Sequence, residues 1–173
     1  FGTSSISGYC SDVGPGLSTN VGAPRTGVTK GPNSGGVQNH CWDMINDGET
    51  GTNNAWILGD SLDYAGVLFD TEQLIYGIGI ARGSRDRYGG NYTVKVGSPV
   101  PVPTSYSTVD AFVSSASEGC TLSGSFTRSS GALVWVPFSE PVVASMLVLM
   151  VEDGASSKAG IDELRIVGTS SPR

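Results

Sequence analysis

The chain has 173 residues, a length that suits one folded domain with a sizeable core. Glycine is frequent, with 25 residues, whereas charged residues make up only 15% of the chain, which is typical of many short strands joined by tight turns. The net charge of −6 provides no surplus of Lys and Arg for nucleic acid or an anionic membrane, and no apolar run reaches the roughly 18 residues that span a bilayer.

The first 36 residues are interrupted by many glycines and by Pro15, Pro24 and Pro32, so we expect an irregular segment of turns and short edge strands. Residues 37–168 are expected to form the core of a single domain that spans residues 1–173. The chain begins with Phe1 and shows no signal-like segment, so we expect a mature or excised piece of a larger parent protein.

Three cysteines, Cys10, Cys41 and Cys120, allow one disulfide and one remaining thiol. A Cys10–Cys41 bridge is the first pairing to consider, and three buried free thiols are equally compatible with the sequence. The sequence contains no Cys-x-x-Cys motif and no Cys/His cluster that would indicate a zinc site.

A short helix is predicted before the first strong turn. Val37, Cys41 and Met44/Ile45 recur at helical spacing, over a span that predicts only one or two turns packed on a sheet. The turn itself is Asn46-Asp47-Gly48.

The runs that follow this turn predict strands. In Tyr92–Val96 large residues alternate with polar ones, as on a sheet with one face on the core. Leu133–Val136 and Val142–Val151 are apolar on both faces, as strands at the centre of a sandwich can be. The predicted strands are Val67–Phe69, Leu74–Ala81, Tyr92–Val96, Val109–Val113, Leu133–Phe138, Val142–Val151 and Leu164–Val167.

These strands are not separated by amphipathic helices, so an alternation of strands and helices has no support. An all-β fold with two antiparallel sheets packed as a sandwich is predicted instead. Pro99–Pro103 is expected to be an extended connector between the halves of the sandwich. Trp56 and Trp135 lie within or beside apolar strands and are predicted to be core residues.

The most informative stretch runs from Trp42 to Ile57 and contains Asp47-Gly48, Thr52 and Trp56. It resembles the aspartate-glycine, threonine, tryptophan signature of discoidin-like domains. These are the coagulation factor five/eight type C group and related carbohydrate-binding modules of the galactose-binding-domain-like superfamily. Further motifs follow in the order of this family, at Gly66–Asp70, Leu74–Ile80, Tyr92–Val96 and Ile161–Gly168. The resemblance covers Trp42 to Gly168 and implies a jelly-roll β-sandwich.

The resemblance also implies a structural calcium ion. Its ligands would be the side chains of Asp47, Thr52 and Glu163 with main-chain carbonyls around Met44 and Glu49. Ca²⁺ takes six to eight oxygen ligands, and a loop rich in Asp, Asn and Thr, closed by a distant carboxylate, can supply them. In the alternative interpretation Asp47 only makes a turn and Glu163 only faces solvent.

A ligand surface is predicted on the loops at one end of the sandwich. The strongest candidate is the loop Arg82–Asn91, because sugars need an aromatic face and hydrogen-bonding side chains, and an acidic glycan would suit the arginines. In the alternative, Asp86 and Arg87 form a local ion pair and Tyr88 caps the core. The candidate contacts are Arg82, Arg85, Arg87, Tyr88 and Asn91, followed by Asp63 and Tyr64.

No catalytic motif is present in the sequence. His40 is the single histidine, no Gly-x-Ser-x-Gly elbow occurs, and Gly77-Ile78-Gly79 lacks the third glycine of a dinucleotide site. Taken with this absence, the resemblance and the predicted ligand loop imply a non-catalytic, lectin-like binding module for a glycan or glycoprotein, outside the cell or on its surface. The alternative is a protein-protein adhesion or structural domain without a sugar site.

Overall fold

The computed structural model describes residues 25–30, 50, 56–57, 64–82, 91–125, 133–151 and 160–170. The predicted helix at Val37–Ile45, the turn after it and the Cys10–Cys41 pairing lie outside these residues. Seven strands and one helix occur in the described part of the chain. They are β1 (Arg25–Lys30), β2 (Trp56–Ile57), β3 (Tyr64–Arg82), β4 (Asn91–Gly97), α1 (Tyr106–Ser114), β5 (Cys120–Ser125), β6 (Leu133–Val151) and β7 (Gly160–Ser170).

The fold is organised by two strands of 19 residues each, β3 and β6, which pair antiparallel with two interruptions. Their register shifts between Leu68 and Gln73 of β3, where the pairing jumps from Met146 to Ala144 of β6. Both strands bend at this point, which we call the crease, and so each contributes to two layers. Bulges and register shifts are the usual way in which a strand changes direction in a sheet.

Layer 1 contains β1, residues 64–69 of β3, residues 146–151 of β6, β4 and β5, in that order across the sheet. Layer 2 contains β2, β7, residues 73–82 of β3 and residues 133–144 of β6. The antiparallel β-sandwich predicted from the sequence is therefore confirmed. Within the described ranges β1 pairs only with β3, so it lies at an edge, as expected for the segment before residue 37.

Between the layers lies one apolar core to which both contribute. Alternate residues of β3, β4 and β6 point inward from layer 1, and β3 and β7 supply the branched side chains of layer 2. Burying these side chains is the main favourable contribution to folding. The fully or nearly fully buried members are Ala65, Val67, Phe69, Ile75, Ile78, Ile80, Val94, Val96, Ala144, Leu147, Leu149, Val151, Ile161, Leu164 and Ile166.

Residues 109–113, predicted to be a strand, lie instead in the helix α1, so this prediction was wrong. Ser105 is the N-cap: its hydroxyl accepts the Thr108 N–H, and Thr108 Oγ1 in turn accepts the Ser105 N–H. Val109, Phe112 and Val113 are spaced i, i+3 and i+4, which gives the helix one apolar face. The short run of branched residues resembles a strand unless this cap is recognised.

α1 covers the outer face of layer 1. Its Val109 and Phe112 pack with Tyr64, Met146 and Val148 in a second buried cluster. Lys95 of β4 lies on the same face, is almost fully buried, and donates from Nζ to the carbonyl of Ser115 just beyond the helix. Its Nζ also lies 5.5 Å from the centroid of the Phe112 ring, so the ammonium is held by a carbonyl and an aromatic face.

Two further predictions about β6 need correction. Residues 133–138 and 142–151 form a single bent strand, and the half in layer 2 pairs only with β3 among the described residues, so it is an edge rather than a central strand. Trp135, predicted to be a core residue, is 52% exposed. An apolar run alone does not distinguish an edge strand from a central one.

Cys120 is a free, exposed thiol at the start of β5, so it forms no disulfide. The described part of the chain contains no helix long and apolar enough to cross a membrane.

The packing of α1 on layer 1 predicts a difference between two identical substitutions. Val109→Ala removes two buried methyl groups and should lower the free energy of unfolding by about 2 to 3 kcal/mol. Val102→Ala, at a valine that is 58% exposed, should change it by less than about 0.5 kcal/mol. Urea unfolding followed by circular dichroism measures both, and equal losses would contradict the packing of α1.

Candidate functional site

The crease has a geometric consequence for the connections between strands. Because β3 and β6 fold back on themselves, both ends of each lie at the same end of the sandwich, opposite the crease. Asn91 pairs with Ser125, Tyr64 with Met150 and Ala81 with both Leu133 and Glu163, all in the last rows of their layers. The connections that follow Arg82, Ser125 and Val151 therefore begin and finish at this end, which we call the open end.

Three of the predicted ligand residues belong to described strands at the open end. Arg82 is the last residue of β3 and Asn91 the first of β4, so the predicted ligand loop links layer 2 to layer 1. Asn91 is exposed, and its Oδ1 accepts a hydrogen bond of 2.8 Å from Ser125 Oγ. Tyr64 is only 2% exposed and packs in the cluster beneath α1, which does not fit a glycan contact. Asp63, Arg85, Arg87 and Tyr88 lie outside the described residues.

Glu163, the predicted carboxylate of a calcium site, is completely buried near the open end, opposite Ala81. Arg165 Nε donates to its Oε1 at 3.0 Å. Because Glu163 is buried, the alternative in which it merely faces solvent is wrong. A buried carboxylate requires charged or polar partners, and Arg165 is one of them. The other predicted ligands, Met44, Asp47, Glu49 and Thr52, fall outside the described residues. Within those residues no three His, Cys, Asp or Glu side chains cluster as a metal site.

An aromatic ring also lies over a glycine at the open end of layer 1. Tyr92 of β4 faces Gly124 of β5, and its phenol occupies the space that a side chain at Gly124 would need. Partial burial of this phenol raises the pKa of Tyr92 above its ordinary value of 10.0, because the ionised form loses solvation.

A second aromatic residue, Trp135, lies on the outer face of layer 2. Ile78 and Ile80 of β3 point into the core, so Gly79 between them faces outward, with Trp135 of β6 on one side and Arg165 of β7 on the other. A Cβ at Gly79 would lie 3.1 and 3.2 Å from Cζ3 and Cε3 of Trp135, so the indole covers this glycine. We call the row Trp135, Gly79 and Arg165 the aromatic shelf.

A cleft of about 360 Å³ opens between the edges of the two layers on the crease side. Residues 138–141 of β6 form a bulge opposite the single residue Tyr76 of β3 and line one wall. Val94, Val96 and Leu122 form the other wall, and the polar groups at its mouth are those of Thr121, Ser139, Glu140 and Cys120. Its lining is mainly apolar and it contains no arginine, so it suits a polar sugar less well than the open end.

Solved structures with the same fold are sugar-binding modules and related domains. The family 32 carbohydrate-binding module of NanJ from C. perfringens, in complex with galactose, is 15% identical with a TM-score of 0.55, over 81% of this chain and 90% of that chain. The corresponding module of AlyQ, in complex with 4,5-unsaturated mannuronic acid, is 14% identical with a TM-score of 0.57, over 80% and 91%. An F5/8 type C domain from Bacteroides fragilis is 9% identical with a TM-score of 0.56, over 86% and 93%.

The resemblance to discoidin-like domains is thus confirmed at the level of the fold. At identities of 9 to 15% these comparisons show a shared fold, and the fold alone. No family model matches the sequence, and the search of curated proteins returned no match.

The raised pKa of Tyr92 predicts how stability changes in alkaline solution. The protonated phenol is favoured in the folded state, so its contribution is complete below the unfolded pKa and is lost as the pH rises through the folded pKa. Wild type should therefore lose more stability than Tyr92→Phe between about pH 8 and pH 11. Urea midpoints of both proteins across this range measure the difference, and parallel losses would contradict the assignment.

Proposed function

We propose that the chain is a non-catalytic carbohydrate-binding module whose glycan binds at the open end of the sandwich. The observation that carries this proposal is the crease, because it gathers the connections after Arg82, Ser125 and Val151 at one end of a rigid scaffold. Binding residues are commonly presented on loops held in this way. The same proposal takes the chain to act outside the cell or at its surface.

The shared fold and the composition of the loop both support a sugar as the ligand. Two structures of this fold carry galactose and an unsaturated mannuronic acid. The loop after Arg82 offers Arg85, Arg87 and Tyr88, which combine hydrogen-bond donors with an aromatic ring. Since arginine pairs bidentately with carboxylates, a glycan that carries uronic acids would be favoured.

Glycan binding provides the direct test. Wild type should bind sugars on an array that includes galactose-terminated and uronic-acid glycans. Arg85→Ala and Tyr88→Ala should each weaken binding about tenfold, which corresponds to about 1.4 kcal/mol of lost binding free energy.

Tyr76→Ala is the matched control, because Tyr76 is a tyrosine that is 41% exposed and lies near the crease. It should leave array binding unchanged. A wild type that binds no glycan and forms concentration-dependent oligomers would instead support an adhesion or structural domain. If neither Arg85→Ala nor Tyr88→Ala weakens glycan binding, the loop after Arg82 is not the binding site.

We also propose that calcium stabilises the open end through Asp47, Thr52 and Glu163, with carbonyls of Met44 and Glu49. The buried carboxylate of Glu163 supports this proposal, because a hard oxygen donor inside the protein suits Ca²⁺. The ion would hold the loop that contains Asp47 against the start of β7.

Thermal unfolding tests the calcium proposal. Calcium at a hundred times its dissociation constant should stabilise the chain by about 2.7 kcal/mol, which raises Tm by about 5 to 10 °C. Excess chelator should reverse the shift. Asp47→Asn should abolish it, whereas Glu140→Gln, at an exposed glutamate near the crease, should retain it. A Tm that changes with neither calcium nor chelator would refute the proposed calcium site.

A further inference from the structure

The aromatic shelf lies on the face of layer 2 rather than on the loops. We propose that it is a second contact surface for a glycan, so that the chain binds along a polysaccharide and not only to a terminal sugar; this inference rests on the proposed carbohydrate function. The shelf consists of the Trp135 indole, the bare backbone of Gly79 and the guanidinium of Arg165.

The indole lies over the neighbouring strand at Gly79. Of its ring atoms, Cζ3 and Cε3 lie closest to Gly79, and Trp135 is 52% exposed. A flat, apolar ring that already packs on a neighbouring strand can bind the C–H face of a pyranose at little cost in side-chain entropy. An exposed tryptophan on an ordered strand is also unusual, since tryptophan is mostly buried in monomeric proteins.

The polar part of the shelf is Arg165, which lies two strands away from Trp135 in the same row, with Cα atoms roughly 10 Å apart at the usual strand spacing. Its side chain is 34% exposed, and its Nε is held by the buried carboxylate of Glu163 at 3.0 Å. An arginine has five N–H donors, so this bond leaves others for sugar hydroxyls. Glu163 also offsets the charge of Arg165, so the shelf itself does not require an acidic sugar.

The alternative occupant is a protein strand added to the edge of layer 2, where residues 133–144 of β6 pair only with β3 in the described part of the chain. This edge contains Pro137 and Pro141, which have no N–H to donate to a new strand. Strand addition is therefore disfavoured along this edge, whereas a glycan that stacks on Trp135 needs no main-chain donors.

The position of the shelf favours a chain over a single sugar. As far as the described residues go, it is one row on the outer face of a sheet, and such a face offers nothing that would recognise the end of a glycan. Gly79 lies three residues before Arg82, about 10 Å from the open end at the usual rise of a strand. A polysaccharide held by the open-end loop can therefore continue across the shelf.

The test compares affinities for sugars of increasing length by titration calorimetry, with galactose and mannuronic acid as monomers, trimers and hexamers. Wild type should bind hexamers more tightly than monomers. Trp135→Leu should weaken hexamer binding about tenfold or more and leave monomer binding unchanged, because leucine still covers Gly79 but offers no ring. Trp135→Phe should restore most of the lost hexamer affinity.

Val143→Ala is the matched control, because Val143 lies on the same edge strand and is 46% exposed. This variant should retain the dependence of affinity on sugar length. The three variants should melt close to wild type, which separates a loss of binding from a loss of folding. Affinity that does not grow with length, or that grows equally in Trp135→Leu, would overturn the shelf while leaving the proposed function intact. A wild type that binds no member of either series would overturn both. Self-association of wild type that Trp135→Leu abolishes, without sugar binding, would assign the shelf to a second copy of the chain.

Discussion

The crease depends on a hydroxyl group that replaces a missing sheet partner. Where the pairing of β3 and β6 jumps from Met146 to Ala144, Ser145 is left without a partner in the ladder. Ser98, just beyond β4, accepts the Ser145 N–H at 3.1 Å and donates to Glu72 Oε1 at 2.6 Å. One side chain thus satisfies the interrupted backbone of β6 and anchors the bent part of β3. Without such a partner, a buried N–H at the bend would cost about 1 to 3 kcal/mol. The two layers, the core between them and the open end all follow from this bend.

The bend produces two layers with different outer faces. In layer 1 that face is covered by α1, which Lys95 fixes through its bond to the Ser115 carbonyl and its position over Phe112. In layer 2 the outer face instead presents Trp135. A helix on one face excludes ligands there, since its apolar residues occupy the surface. In the part of the chain that the structure describes, the open end, the cleft near the crease and the outer face of layer 2 remain as surfaces for an extended ligand.

The sequence predicts most of the strands, because alternation and branched residues reflect the burial that the layers impose on β3, β4 and β7. It does not predict that β6 is continuous, since Pro137 and Pro141 resemble chain breaks and the bulge that accommodates them depends on tertiary pairing. The helix α1 was missed because its cap uses Ser105 and Thr108 rather than the more familiar glutamate. For the site, the sequence indicates Glu163 and the ends of the ligand loop, and it misses the shelf. Nothing local in a run such as Leu133–Val136 reveals that its tryptophan faces outward over a glycine on another strand.

Two aromatic residues in this structure each cover a glycine on the neighbouring strand, but they differ in how much of the ring stays exposed. In each pair the ring fills the space left by a missing side chain on the neighbouring strand. The pairs are Tyr92 with Gly124 and Trp135 with Gly79. Tyr92 packs against the core and its phenol is partly desolvated, whereas half of Trp135 remains in contact with water. Covering a glycine requires only one side of a ring, and an aliphatic side chain could do it as well. The indole of Trp135 is therefore larger than is needed to cover Gly79, and its exposed part is available for contact with a ligand.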